Sequence, residues 1–402
     1  MRRAKFGAID VGTTKVCTIM ADNGGADELR ILGVGVAPSK GMHKGLVVNV
    51  NEARESIRES VRKAEQIAGY RLESARVGIT GRHITSLNSQ GAVAITRHDQ
   101  LVNREDLKRV LEVAHSVKIP SESKLLHVIP RTYKIDGQEG IKNPVGMHGF
   151  RLDVETHVIT AAITSIQNLT KCIRSVGIDI EDLVLEPLAS GEAVLHQEEK
   201  QGGVMLADIG GGTTDIAIFK DGTIYYTSVL PVAGYQVTRD IAIGLGLSYE
   251  LAEEMKKRYG NVTIPGTDMD REDRALTQDG HSVSYNELSE IIRVRIEELL
   301  RLMVMELPRT EYPRLIPSGL VLTGGGANLP GIVELAETVT HLPVRIGAPV
   351  RLDGVSDILQ DPAYATGVGL LLWQPKNKAR QDWRPRERGL RRFVARIFQL
   401  FR

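Results

Sequence analysis

Ala8-Ile9-Asp10-Val11-Gly12-Thr13-Thr14-Lys15-Val16 stands near the start of this 402-residue chain, and Ala207-Asp208-Ile209-Gly210-Gly211-Gly212-Thr213-Thr214-Asp215-Ile216 stands near its middle. Both stretches place an aspartate at the end of an apolar run, then glycine, then Thr-Thr, then a second strand-like run. In the first copy Val16, Thr18 and Met20 alternate with Cys17 and Ile19; in the second, Ile216-Ala217-Ile218-Phe219 runs on to a turn at Asp221-Gly222. Each copy therefore reads strand to strand, as a β-hairpin. Dinucleotide-binding and Walker loops run strand to helix instead, and no G-x-x-x-x-G-K-[ST] occurs anywhere. A repeated hairpin of this kind predicts two halves built on one plan.

Outward from the hairpins, helical and strand patterns alternate, which argues for an α/β fold. Residues 51–69 predict a helix with Ala53, Ile57, Val61, Ala64 and Ala68 on one stripe and Gly69 as its stop. Residues 76–79 read as a strand. A segment from 85 to 163 carries its own strands (92–95 and 125–129) and a helix (104–117), and reads as an inserted module. Val204-Met205-Leu206 and Leu320-Val321-Leu322 have the composition of buried strands, and 287–306 is another helix. The polar, charged, proline-bearing stretch that begins at Pro375 has the make-up of a flexible linker.

The chemistry suggested is that of a nucleoside triphosphate with magnesium. Phosphates need close donors without steric bulk, and tight glycine turns offer backbone N–H groups at positive φ. Thr13, Thr14, Thr213 and Thr214 add hydroxyls to Gly12, Gly210, Gly211 and Gly212, and Lys15 supplies a point charge. Magnesium keeps most of its waters, so one or two carboxylates suffice; Asp10 and Asp208, one per hairpin, are the candidates. A third loop, Leu322-Thr323-Gly324-Gly325-Gly326-Ala327-Asn328-Leu329-Pro330-Gly331, comes after a buried strand and precedes a helix. Gly324, Gly325 and Gly326, with Asn328, would let a flat base lie against backbone.

Composition narrows the setting. Hydrophobic residues make up 42% and charged residues 25%, enough for ordinary cores. The net charge of +1 offers no whole-chain attraction to nucleic acid, but it is unevenly spread. Residues 376–402 hold ten Lys or Arg against two acids, a net of +8 that leaves the remainder at −7. A mildly acidic body with a basic tail suggests an acidic surface for the tail to meet. Cys17 and Cys172 make neither a disulfide framework nor a zinc set, and the reducing cytoplasm is the natural expectation. Arg2 and Arg3 resemble a secretion n-region, but Asp10 interrupts the chain before an apolar core can form. No stretch reaches the roughly 20 apolar residues of a spanning helix, and the scattered histidines suggest no metal.

Taken together, the three loops resemble the two phosphate motifs and the adenosine motif of the actin, sugar-kinase and heat-shock-chaperone ATPase superfamily. More finely, the chain resembles the FtsA family, which links the ring of the division protein FtsZ to the membrane. Gly41-Met42-His43-Lys44-Gly45-Leu46-Val47-Val48-Asn49, Asp136-Gly137-Gln138-Glu139-Gly140-Ile141, Pro144-Val145-Gly146-Met147 and Val344-Arg345-Ile346-Gly347-Ala348-Pro349 carry that likeness, which covers nearly the whole chain. It implies an actin-like two-lobed fold with duplicated core domains: subdomain 1A from 1–84, 164–201 and 360–375; an FtsA-type 1C at 85–163; 2A from 202–235 and 316–359; 2B at 236–315. A linker at 376–388 and an amphipathic membrane-targeting helix at 389–402 complete the division.

The resemblance further implies ATP-dependent filaments at the cytoplasmic face of the bacterial inner membrane, at the division site, with later division proteins recruited through 1C. By likeness to the chaperones, Glu253, Lys256 and Lys257 come near the ribose and adenine, with a solvated charged face as the alternative. Glu186 matches a residue that orients metal-bound water, with a helix-cap or surface role as the alternative. Arg295 matches the arginine that docks the C-terminal peptide of FtsZ; an intrahelical pair with Glu298 is the alternative, since Ile291 cannot pair with it. No nucleophile or general base stands out, so hydrolysis is expected to be slow or absent. Three rivals remain open. A small-molecule kinase of the superfamily would need a second-substrate pocket and a catalytic aspartate that no motif places. A chaperone ATPase would need a substrate domain for which the chain is short. A pilus-assembly scaffold would lack the 1C-like stretch and the tail.

On a helix of 100° per residue, Leu390, Phe393, Val394, Ile397, Phe398, Leu400 and Phe401 fall within an arc of roughly 160°. Arg391, Arg392, Arg396, Gln399 and Arg402 lie opposite, with Ala395. That separation suits the surface of an anionic bilayer, with arginines at the headgroups; packing on the protein's own body is the alternative.

Overall fold

The computed structural model describes residues 5–25, 28–116, 118–263, 274–276, 282–307, 314–354 and 357–373. Both expected hairpins form. Lys5–Val11 pairs antiparallel with Lys15–Gly25, and Val204–Ile209 with Thr214–Lys220. The repeat extends to whole sheets. In the first, the strand order is Asp179–Leu185, Ser74–Ile79, Lys5–Val11, Lys15–Gly25, Glu28–Pro38, with the short Asp353–Gly354 at the edge. In the second it is Val344–Ile346, Leu320–Thr323, Val204–Ile209, Thr214–Lys220, Thr223–Leu230. Each sheet is thus a three-strand antiparallel meander whose first strand continues into two parallel strands. Parallel pairing requires crossover connections, and helices supply them: Val50–Ala68 and Ile163–Ser175 in the first lobe, and Ile332–Thr340 among those in the second.

Local chemistry explains these elements. The Asn49 side chain accepts from the N–H groups of Asn51 and Glu52 and so starts helix Val50–Ala68; Gly69 ends it at φ +74°. The helix lies directly on strand Glu28–Pro38 because that strand offers glycines. A Cβ on Gly35 would sit 1.9 Å from the carbonyl oxygen of Ser60, and one on Gly33 2.4 Å from that of Ala64. The Ser60 hydroxyl seals the contact, donating to the Gly35 carbonyl at 2.8 Å.

Two helices lie within the core. Glu186–Val194 packs against strands of both sheets, and Ala365–Leu372 packs on it. Both are buried nearly all round, and a Cβ on Gly369 would sit 1.8 Å from the Ala189 carbonyl oxygen. The inserted segment forms a separate antiparallel sheet, ordered Ile84–Ala94, Arg151–Ala162, Ser123–Ile135, Gln138–Ile141. Helix Arg104–His115, started by a reciprocal Asn103/Asp106 cap, lays Val110 and Ala114 over one face of that sheet, in a cluster with Tyr133, Leu152 and Val154. The strands expected at 92–95 and 125–129 are the ends and middles of these longer ones, since alternation continues beyond the apolar runs. The linker and tail, 376–402, lie outside the described residues.

Candidate functional site

The two hairpin turns are closed by equivalent bonds. Gly12 N–H donates to the Lys15 carbonyl at 3.0 Å, and Gly210 N–H donates to the Thr213 carbonyl at 2.9 Å. The turns also meet tip to tip. A Cβ on Gly211 would lie 2.4 Å from Thr14 Cγ2, and one on Gly212 2.4 Å from Thr13 Oγ1. Bare glycine backbone is therefore required at the seam between the lobes.

Beneath the tips lie four buried carboxylates, Asp10, Asp208, Asp215 and Glu186. Burial pushes the Asp10 carboxyl up to about 6, opposed by Lys15 and reinforced by the charge of Asp208. Asp208 is also raised by burial, against hydroxyl donors from Ser190 and Thr366. Asp215 rises to about 7, again through burial, although Thr80 and Thr213 donate to it. Glu186 is held well above the usual carboxylate range by burial and then by Asp10, Asp215 and Asp208. The nearby cation, Lys15, donates to the Ala363 carbonyl at 2.5 Å and lies 4.9 Å from the Tyr364 ring centre.

Such a group of carboxylates fits a divalent cation. Among the described residues no three His, Cys, Asp or Glu converge as a direct metal shell. That suits magnesium, which takes one or two carboxylates and fills its octahedron with water and phosphate oxygens. Asp10 and Asp208 would hold it, the glycine turns would receive phosphates, and the ion would supply charge neutralisation.

The structure adds to the site a segment that the sequence reading placed only in subdomain 1A. Residues 361–366 tie all three loops together. Thr366 Oγ1 donates to Asp208 at 3.0 Å, the Pro362 carbonyl accepts from Gly324 N–H at 3.1 Å, and Asp361 accepts from Asn328 Nδ2 at 2.8 Å. Ser190, in the helix headed by Glu186, donates to the same oxygen of Asp208. The sequence signal for Ser190 and Thr366 is slight: a lone hydroxyl in an otherwise small-residue apolar helix. The third loop is also more structural than expected. A Cβ on Gly324 would strike Asp208 Oδ1 at 2.3 Å and one on Gly326 would strike Ile209 Cγ2 at 2.3 Å, whereas one on Gly325 meets nothing closer than 3.7 Å among the described residues. Packing on the second hairpin thus requires two of the three glycines, and Gly325 alone has an open face. The loop runs first as a 3-10 turn, Gly325–Asn328, before helix Ile332–Thr340.

Comparison with known proteins identifies the lineage. The family described as Cell division protein FtsA matches residues 205–369, and the SHS2 domain inserted in FtsA matches 81–160. The FtsA of Pseudomonas aeruginosa is 44% identical over 91% of this chain and 88% of its own length. The chain belongs to the FtsA cell division protein family. Relatives from Bacillus subtilis and Escherichia coli are 38% and 36% identical, covering 92% and 90% of this chain and 83% and 88% of theirs. By fold, a chain of the PilM–PilN type IV pilus biogenesis complex matches with a TM-score of 0.67 at 18% identity, over 92% of this chain and 98% of that one. MreB5 of Spiroplasma citri bound to ADP matches at 0.54 and 15% identity, over 92% and 96%. The actin-like α/β fold that the family resemblance implied is borne out.

The remaining candidate residues of this FtsA-family chain occupy several separate places. Helix Tyr249–Tyr259 brings Lys256 Nζ to the Gly234 carbonyl at 3.2 Å and to Thr238 Oγ1 at 2.8 Å. Glu253 pairs with Lys256 at 2.6 Å and with Lys257 at 3.1 Å. Gly234 N–H reaches the Gly210 carbonyl at 3.2 Å, so Glu253 and Lys256 abut the second hairpin, while Lys257 is 70% exposed. Glu186 has neither a surface nor a side-chain cap role: it is 9% exposed, and its helix starts without a side-chain cap. It lines a small cavity with Thr80 and His83, and the buried ring nitrogens of His83 have no hydrogen-bond partner among the described residues. Arg295, on helix Tyr285–Met305, binds Asp240 of helix Gly234–Leu245 as well as Glu298, the partner named as the alternative to docking. Asp240 lies far away in sequence, and no helical spacing could have revealed it. Among the described residues no helix is long and apolar enough to cross a membrane. The membrane-facing candidates Leu390 to Phe401 lie outside the described residues.

Proposed function

We propose that this FtsA-family chain binds ATP with magnesium in the cleft between its lobes and polymerises on the cytoplasmic face of the bacterial inner membrane. There it tethers the FtsZ ring and recruits later division proteins through the inserted 85–163 module. One observation carries the nucleotide reading: two equivalent hairpin turns meet tip to tip over a group of buried, high-pKa carboxylates. A strongly positive guest relieves that arrangement, and glycine at the seam leaves room for phosphate. Asp10, Gly12, Thr13, Thr14 and Lys15 face Asp208, Gly210, Gly211, Gly212, Thr213 and Thr214 around the phosphates. Gly325 and Asn328, with Glu253 and Lys256, border the nucleoside end.

The membrane and FtsZ readings are carried by family membership and by the amphipathic pattern of 389–402. We assign 85–163 to 1C and 236–315 to 2B, and read Arg295 as the contact for the FtsZ peptide. Calorimetric titration tests the core of this reading. Unaltered protein takes up ATP only with magnesium, and Asp208→Ala abolishes uptake while the protein stays folded. Normal ATP binding by that variant overturns the clamp.

A further inference from the structure

Strands Met42–His43 and Leu46–Val47 pair as a two-residue hairpin, Met42 opposite Val47 and His43 opposite Leu46. Its turn residues, Lys44 and Gly45, have φ of +47° and +74°. Positive φ at both central positions makes a type I′ turn, which Asn-Gly or Gly-Gly fills with least strain. Lysine in the first position forces its Cβ against the backbone. Side chains held in strained backbone positions gather at functional sites.

The place of this turn is specific. Gly45 N–H donates to Thr13 Oγ1 at 3.3 Å, on the first phosphate hairpin. A Cβ on Gly212, on the second, would lie 2.9 Å from Lys44 Cα and 3.0 Å from Lys44 N. Behind it, a Cβ on Gly45 would lie 2.9 Å from the carbonyl oxygen of Thr80, whose hydroxyl donates to Asp215. The His43 ring stands edge-on to Tyr235 at 5.4 Å, and Tyr235 N–H donates to the Gly211 carbonyl at 2.7 Å. The turn is therefore wedged between both hairpin tips and held on both lobes. Lys44 is half-buried, and its ammonium has no ion pair or hydrogen bond among the described residues.

We propose that Lys44 is a ligand for the terminal phosphate of a nucleoside triphosphate and makes the cleft distinguish triphosphate from diphosphate. The proposal rests on the nucleotide reading of the cleft. Lys15 is anchored on Ala363 beside Asp10, at one side of the carboxylate group. Lys44 stands at the seam itself, where a phosphate beyond the glycine turns would emerge. Its flexible stem carries a compact charge past the turn, where the less strained glycine would present no side chain.

The test uses the full chain, with Lys44→Gln and Lys44→Gly, titrated by calorimetry with ATP and with ADP in magnesium. Unaltered protein binds ATP more tightly than ADP. Loss of one charge-assisted phosphate contact weakens ATP by about tenfold or more in both variants, with ADP within about twofold. Without nucleotide, Lys44→Gly melts at a higher temperature than the unaltered protein, because glycine relieves the turn. If ATP affinity is unchanged, or ATP and ADP weaken together, Lys44 does not read the terminal phosphate. If the unaltered protein binds neither nucleotide, the cleft reading itself falls and this proposal with it.

Discussion

Replacing Asp10 by asparagine separates the stability of the cleft from its ligand chemistry. In the folded chain the Asp10 carboxyl titrates at about 6 rather than 3.8, chiefly because it is buried. A folded pKa raised above the unfolded one means that the folded state binds the extra proton. Stability from this group is therefore complete below the unfolded value of 3.8 and is lost as pH rises through about 6. A shift of this size corresponds to on the order of 3 kcal/mol at neutral pH. The introduced amide carries no charge, so in nucleotide-free, metal-free buffer at about pH 8 Asp10→Asn melts several degrees above the unaltered protein. At about pH 5, where the native carboxyl is mostly protonated, the gap narrows sharply. Magnesium with ATP then raises the midpoint of the unaltered protein, by preferential binding to the folded state, and leaves that of Asp10→Asn almost unmoved. Differential scanning calorimetry at both pH values, with and without ligand, is the assay. A variant less stable in the alkaline buffer, or one that responds to magnesium and ATP like the unaltered protein, refutes the argument that this buried carboxylate awaits a cation.

Arg295→Glu weakens the docking of an FtsZ C-terminal peptide in an anisotropy titration, whereas Asp240→Asn releases the guanidinium from its interhelical partner and strengthens it. Unchanged affinity in both variants removes Arg295 from the docking site. Deleting 389–402 abolishes flotation with anionic liposomes while ATP binding survives, and Phe393→Glu or Phe398→Glu does so singly; each nearby basic residue contributes on the order of 1 kcal/mol, so high salt weakens binding without abolishing it. Gly35→Val drives a side chain into the Ser60 carbonyl and destabilises the first lobe by roughly 3 kcal/mol in urea unfolding. Gly137→Ala meets no neighbour within 4 Å among the described residues and only the strain of its left-handed backbone, so it costs about 1 kcal/mol.

The sequence by itself determined the hairpins, the helix that the structure bounds as Val50–Ala68 with its glycine stop, and the pairing of Asp10 with Asp208. These rest on signals local in the chain: alternation, an apolar stripe, a terminal glycine, and one short motif written twice. It also determined the amphipathic pattern of 389–402, since an arc of apolar residues is a property of spacing alone. Tertiary structure decided what those elements surround. Asp215 and Glu186 join the carboxylate group only because the second hairpin and a buried helix bring them there. Thr366 reaches Asp208 across 158 positions of sequence, and Arg295 finds Asp240 across 55. The raised pKa values belong to the same level, because desolvation depends on what packs around a carboxyl and not on its neighbours in the chain. Lys44 shows the division most clearly. Its residue type is visible in the sequence, but only the folded chain reveals a left-handed backbone and a place between two glycine turns, contacts that chain spacing does not encode.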